Sequence, residues 1–504
     1  MKETMKNYKY IFKILMIGII ILGQSCSEDF LDEFPTDAQA PGDIQTLADV
    51  EFVMNGVYDL MQDNDFFGRS YIAMNDIRSD DHQVPDFGRL EDEYKYDYDV
   101  SNVSSGEWSH PYTIIRQANS VIELLEGMDT DDASDEVTKL DMMGQSLTIR
   151  ALAHFTLCNW YGYPYSHDGG ASLGVPIVTT VALPDAKIKR STVAQVYDQI
   201  IDDLTTAIPL LKTDEKGGKI NSWAAKTLLA RVYLYMEDNI NAYDMAVDVI
   251  NNGPYELMSG SEYVDSWAED FSSESIFSCV NSAADNTGGE SINNLSDPEG
   301  YGQFIASQDL IDIVRSDPDD IRNGMLYIDQ LSTVGDPSTY GRVLKFPGKG
   351  NTKAKIVDHF EGSGAPVNSS TTSNVPVFRL SELYLIAAEA AIKEDDAPNA
   401  TFYLNKIVER ANPDATVAEA DVNLDRILTE RRKELMAEGH RFLDLIRNKR
   451  DIVRSLVPRA TAAGVPVARM NIPYNDYQVV YPIPRNELEI NPLIQNPGYQ
   501  PTSN

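Results

Sequence analysis

Apolar residues recur at helical spacing in several separate blocks. Over 43–62, Leu47, Val50, Val53, Met54, Val57 and Leu60 form one stripe, predicting an amphipathic helix. A second stripe is Ile114, Ile115, Ala118, Val121, Ile122 and Leu125, and a third helix is predicted from Met142 to Tyr161. Helices follow at Thr192 to Leu211, Ser222 to Met236 and Ala242 to Asn251. Between these blocks the period fails. Residues 63–106 are rich in Tyr and Asp, and 162–190 carry Gly and Pro and read as a long loop. From Tyr255 to Phe378, short apolar segments alternate with Gly, Ser, Asn and Asp, predicting a loop-rich insertion. The Pro-rich end, 452–504, reads as extended chain wrapped on the helices. The class is mainly α.

Two blocks share one pattern. Leu229, Ala230, Tyr233, Ala242, Ala246, Val249 and Pro254 fall at the offsets of a tetratricopeptide unit, whose small residues let two antiparallel helices approach closely. Ala387, Ala388, Ala391, Ala400, Leu404 and Ile407 make a second copy, with Pro413 one place late. Because the insertion separates them, the expectation is a tetratricopeptide-like helical-repeat scaffold with insertions, not a contiguous solenoid.

Charge narrows the partners. The chain has 504 residues, a formal charge of −36, 42% hydrophobic and 24% charged residues, which suits a folded protein and disfavours nucleic acid or anionic lipid as a partner. Three cysteines make no disulfide framework. Cys158 sits in a helical pattern and Cys279 in a short apolar stretch, so both read as small buried hydrophobes. The N-terminus is an address. Lys2, Lys6, Lys9 and Lys13 precede a short apolar run from Ile14 to Leu22, too short to span a bilayer, and then Gly23-Gln24-Ser25-Cys26. This resembles a bacterial lipobox, with 1–25 removed as signal peptide and Cys26 acylated, which would tether the chain to a membrane by lipid. Cleavage takes the charge from −36 to −39 by removing four Lys and one Glu. Residues 26–40 then form an acidic tether, beginning Ser27-Glu28-Asp29, that resembles a surface-export signal of Bacteroidetes lipoproteins.

No local pattern of catalysis or metal binding stands out. Asp129 to Asp132 begins like a calcium loop without its Gly and closing Glu, and Gly348-Lys349-Gly350 lacks the rest of a phosphate loop. Asp317 to Asp320 allows calcium without signalling it. His154, on a helix face, reads as a satisfied core histidine. Glycoside hydrolysis has no fixed carboxylate spacing, so the many carboxylates leave it open.

The C-terminal half carries a resemblance. Phe378-Arg379-Leu380-Ser381-Glu382-Leu383-Tyr384-Leu385-Ile386-Ala387-Ala388-Glu389-Ala390 looks like the signature helix of the SusD/RagB family. Leu404 to Ile407, Glu430-Arg431-Arg432-Lys433-Glu434-Leu435, Glu438 to Leu445, Tyr481 to Pro484 and Gln495 to Tyr499 resemble its later blocks. Arg150 to Phe155, Trp160-Tyr161-Gly162 and Ala224 to Tyr235 agree in the N-terminal half. The charged motif residues read as structural: Glu430, Arg431, Arg432 and Glu434 as local pairs on one helix, and Arg441 and Arg447 as complements of its C-terminal end. The resemblance implies a SusD-like fold with an N-terminal helical region over 41–254 and a C-terminal region over 255–504, itself an insertion (255–377), a helical repeat (378–450) and a wrapping segment (451–504). It implies an outer-membrane, cell-surface lipoprotein without catalysis or cofactor, binding a nutrient glycan as the lid of a SusC-like TonB-dependent transporter. Peptide capture of the RagB type, a surface glycosidase and a pure scaffold are the alternatives.

Sugar rings stack apolar C–H faces on aromatics and need directional partners for their hydroxyls. The aromatic loops therefore supply the candidates: Trp108, Tyr301, Phe304, Tyr94 and Tyr96 as a platform, with Arg78, Asp80 and Asp81 as polar partners. The competing reading places Trp108 and Tyr112 at a helix start and Tyr94, Tyr96 and Tyr98 on one face of a strand.

Overall fold

The computed structural model describes residues 44–504 except 85–87, 131, 182–185, 215–216, 298, 328–340, 361, 363, 365, 456–468 and 500–504. The signal peptide, Cys26 and the acidic tether lie outside the described residues.

The predicted helices form, and their first turns show why. Helix α1 spans Leu47–Gln62, and a short α2, Ser70–Ile77, follows within the pattern-poor stretch. Helix α3 is Gly106–Glu126, and α4 is Ala133–Tyr161, reaching well before Met142 because Asp132 caps it by accepting from the N–H groups of Ser134 and Asp135. Helix α5, Val193–Ala207, opens with a capping box in which Thr192 and Gln195 satisfy each other's backbone N–H. Asn221, Asp238 and Asp396 cap α6 (Ser222–Tyr235), α7 (Asn239–Asn252) and, beyond the insertion and α8 (Leu380–Lys393), α9 (Ala397–Ala411). Asn423 caps α10, Leu424–Glu434, and α11 is Arg441–Arg447.

From α3 to α10, each helix packs on the next, and α7 packs directly on α8 although the insertion lies between them in sequence. The two repeat copies are thus neighbours in space, contrary to the expected interruption. The reason lies in the ends of the insertion. Strand β1, Ser275–Cys279, pairs antiparallel with β2, Val375–Arg379, so chain leaving α7 returns to the start of α8. Ala242, Ala246, Ala387, Ala388, Ala391 and Ala400 are buried, which is the close helix approach that their small size permits. Contacts divide the chain after Val50.

The charged signature residues serve long-range pairing, which corrects their reading as local helix pairs. Glu434 is buried and pairs with Arg322, Arg379 and Arg410. Glu438 pairs with Lys345 and Arg379, and Glu430 with Arg322 as well as its helical neighbour Arg426. Arg431 reaches Asp444, and Arg432 reaches Asp81, each across elements. Arg441 opens α11 rather than closing a helix, and Arg447 pairs with Glu389 and Asp444. Such buried ions are tolerable only when each charge has its partners in good geometry. Cys158, Cys279 and His154 are core residues as expected. Burial pushes the Cys158 thiol up to about 12 and the His154 imidazole down to about 4. His154 Nδ1 lies 3.0 Å from the Arg150 carbonyl, and its Nε2 accepts from Val178 N–H.

Tyr481 and Asn496 lie against the end of α4. Tyr481 N–H donates to the Trp160 carbonyl, and the Asn496 amide donates to the carbonyls of Tyr161 and Tyr481. Among the described residues no helix is long and apolar enough to cross a membrane.

Candidate functional site

Most of the residues predicted to touch ligand lie inside the protein, and that reading is corrected for them. Arg78 is fully buried; its guanidinium lies 4.0 Å from the Phe442 ring centroid and 4.2 Å from that of Tyr481, and it donates to the Val479 carbonyl at 2.5 Å. Asp80 accepts two hydrogen bonds from Arg441, at 2.8 and 2.9 Å, and Asp81 accepts one from Arg432 at 2.5 Å. Burial alone would raise the Asp80 carboxyl, but Arg441 and Arg432 overcome it and hold the group at about 2. Tyr94 lies beneath the Arg454 guanidinium, and Tyr96 donates its hydroxyl to the Arg78 carbonyl. Neither belongs to a strand: Tyr94 is on the short helix Glu91–Lys95, and Tyr96 ends it with φ 56°. Phe304 stacks flat on the buried His82 ring, 3.9 Å apart and 9° from parallel. Trp108 is buried in the first turn of α3, edge-to-face with Tyr161, which is the helix-anchoring role. For Arg78, Asp80 and Asp81 the physical reason is shared. Helix α2 carries the chain inward, so residues 78–83 run beneath α10 and α11 instead of over the surface.

Tyr301 is the exception, with 38% of its surface exposed. The Arg89 guanidinium lies over one face of its ring, 3.5 Å from the centroid. Arg89 Nε donates to both Glu290 oxygens at 2.9 Å, and its backbone N–H donates to the Gln303 side-chain carbonyl. Arg69 stands on the other side of Glu290 at 3.5 Å and also meets Asp65 at 3.3 Å. The backbone beneath is built to hold this arrangement. Ser291 caps the turn Ile292–Ser296, Tyr301 N–H donates to the Asn294 carbonyl, and the Asn294 amide donates to the Gly289 carbonyl. A Cβ on Gly289 would stand 3.4 Å from the Tyr301 hydroxyl, an ordinary contact, so this glycine lies against the ring edge. Sequence reasoning found Tyr301 but missed Arg89, Glu290 and Arg69. The available signal was that Arg89, between Gly88 and Leu90, belongs to no periodic segment and so has no packed helix face to occupy.

The surroundings are acidic and partly desolvated. Burial, with Glu107 adding to it, pushes the Glu93 carboxyl up to about 7. Burial and then Glu107 also raise Asp65, against Arg69. Among the described residues no group of three or more His, Cys, Asp or Glu is placed to hold a metal ion. At the acidic loop, Asp320 is engaged by Arg322 and Lys433, and Asp317 accepts from Asn412. The Tyr301 face therefore offers an apolar ring bordered by fixed charged donors and acceptors, the combination that binds an amphiphilic, hydroxyl-rich ligand.

The chain belongs to the SusD/RagB family, mainly α in fold. A SusD-like family described as starch-binding and associating with the outer membrane matches residues 29–234, and the SusD family matches 325–499. A SusD superfamily protein of Bacteroides thetaiotaomicron superposes with a TM-score of 0.81 at 34% identity, covering 90% of this chain and 100% of that one. A SusD-like protein of Formosa agariphila is 26% identical over 97% of this chain and 99% of its own length. The starch-binding protein SusD of Bacteroides thetaiotaomicron is 27% identical over 36% of this chain and 34% of its own length.

Proposed function

We propose that this chain is a non-catalytic glycan-binding protein of the cell surface, held in the outer membrane by lipid on Cys26, that delivers its ligand to a SusC-like TonB-dependent transporter. The observation that carries the binding reading is the exposed Tyr301 ring with Arg89 and Glu290 fixed beside it. A pyranose ring stacks on the open part of the tyrosine, while Arg89, Glu290 and Gln303 exchange hydrogen bonds with its hydroxyls. The family's starch-binding, outer-membrane description supports both the ligand class and the location. Tyr301→Ala and Arg89→Ala, run in native gels containing starch, laminarin, xylan or mannan, test the site. The proposal expects a polysaccharide that retards the wild type to lose its hold on both variants without producing shorter sugars. Full retardation of Tyr301→Ala refutes the site, and released oligosaccharides refute the non-catalytic role. Replacement of Cys26 by Ala is expected to free the protein from the membrane fraction.

A further inference from the structure

Two guanidiniums stand at the Tyr301 face, and both are already neutralised. Arg89 gives its Nε hydrogen to both Glu290 oxygens at 2.9 Å while its guanidinium covers one face of the ring. Arg69 is divided between Asp65 at 3.3 Å, Glu290 at 3.5 Å and Glu107 at 3.8 Å. One Glu107 oxygen accepts from the Ser70 hydroxyl at 3.0 Å, and the other is buried with no hydrogen-bond partner. Burial, with Glu107 adding to it, holds the Glu93 proton up to about 7. Even with Glu93 neutral, the three carboxylates of Asp65, Glu107 and Glu290 face two guanidiniums, so negative charge is in excess behind the ring. Of these carboxylates Glu107 is 3% exposed and Glu290 42%, and Glu290 alone is shared by both arginines.

We propose that Glu290 sets the ligand class of the Tyr301 face: by occupying Arg89 and Arg69 it reserves the face for neutral glycans and turns away those bearing uronate or sulfate. The assignment rests on the glycan-binding reading of that face. A neutral hydroxyl donates to a Glu290 oxygen or accepts from Arg89 without altering the charge balance. A carboxylate or sulfate must displace Glu290 from Arg89 or stand beside it as a like charge, which is repulsive discrimination. Glutamine at 290 still exchanges hydrogen bonds with hydroxyls but leaves Arg89 a free cation, and a guanidinium is a good partner for both anions.

Laminarin, starch and mannan as neutral polysaccharides, with alginate, polygalacturonate and dextran sulfate as anionic ones, test this in affinity gels and calorimetry on the full chain. The wild type is expected to hold a neutral polysaccharide and none of the anionic ones. Glu290→Gln should keep neutral binding close to that of the wild type and raise the anionic-to-neutral affinity ratio about tenfold or more, a gain weakened by salt. Glu290→Asp should restore the wild-type ratio, and adding Arg89→Ala to Glu290→Gln should abolish the gain. Glu51→Gln, which removes the same charge from a remote pair with Lys219, should leave the ratio unmoved. The proposal falls if the wild type holds an anionic glycan as tightly as a neutral one, if Glu290→Gln leaves the ratio unchanged, or if Glu51→Gln shifts it equally. Neutral binding that depends on Tyr301, with an unmoved ratio in Glu290→Gln, overturns this inference and leaves the proposed function standing. A wild type that holds no polysaccharide of either charge overturns both.

Discussion

Arg78 and Arg89 are near one another in sequence, and both lay a guanidinium against aromatic rings. Arg78 is enclosed between Phe442 and Tyr481, with the carboxylates of Asp80 and Asp81 nearby bound to Arg432 and Arg441. Arg89 covers one face of Tyr301 and holds Glu290, yet 37% of its side chain and 42% of that of Glu290 remain exposed. Residue type and partner type are the same, and water makes the difference. In the first region Asp80 and Asp81 are buried against Arg441 and Arg432, and removing one partner leaves the other desolvated and unpaired. In the second the same groups are screened and individually weak in stability terms, so they are available for a ligand. Structural charge and recognition charge are therefore told apart by burial, not by motif.

This contrast gives graded expectations. The largest effect belongs to the buried network: Glu434→Ala leaves Arg322, Arg379 and Arg410 without their shared partner and should cost about 3–5 kcal/mol in denaturant unfolding. A loss below 1 kcal/mol would mean that the network relaxes around water. Next, Tyr301→Ala should lower glycan affinity at least tenfold, about 1.4 kcal/mol, with the unfolding midpoint unmoved. The pH dependence of Glu93 is smaller. Its folded value of about 7 lies above the ordinary 4.5, so the stability it contributes is complete below about 4.5 and is lost as pH rises through about 7. Glu93→Gln should flatten that part of the stability-against-pH curve, and an unchanged slope would show the group to be hydrated. Smallest of all, Glu290→Gln should change stability by no more than about 1 kcal/mol, as thermal melts would show.

Much of the helical scaffold is legible in the spacing of its apolar residues. Val50, Met54 and Val57, the stripe from Ile114 to Leu125 and the alanines of both repeat copies lie on buried faces because a helix must cover a continuous stripe. The start of α4 is not legible that way, since its first turns are polar and only the Asp132 cap marks it. The charged signatures identify the family but hide their roles. Arg432 meets Asp81, and Arg322 meets Glu434, across separations that no local spacing encodes. Tyr94, Tyr96 and Tyr98 imitate strand alternation because a left-handed residue at Tyr96 closes a helical turn. Tyr301 was legible as a loop aromatic. Its partner Arg89 was not, because their pairing depends on how the insertion folds back onto the N-terminal loop.

The central claim is that glycan meets the exposed Tyr301 face and not the buried Arg78–Asp80–Asp81 cluster. Calorimetric titration of the retained polysaccharide into wild type, Tyr301→Ala and Arg441→Lys tests it most directly, because the last variant perturbs only the support of Asp80. The account predicts binding lost in Tyr301→Ala, and in Arg441→Lys wild-type affinity with a lowered unfolding midpoint. Wild-type affinity in Tyr301→Ala, together with binding lost in a folded Arg441→Lys, would contradict it.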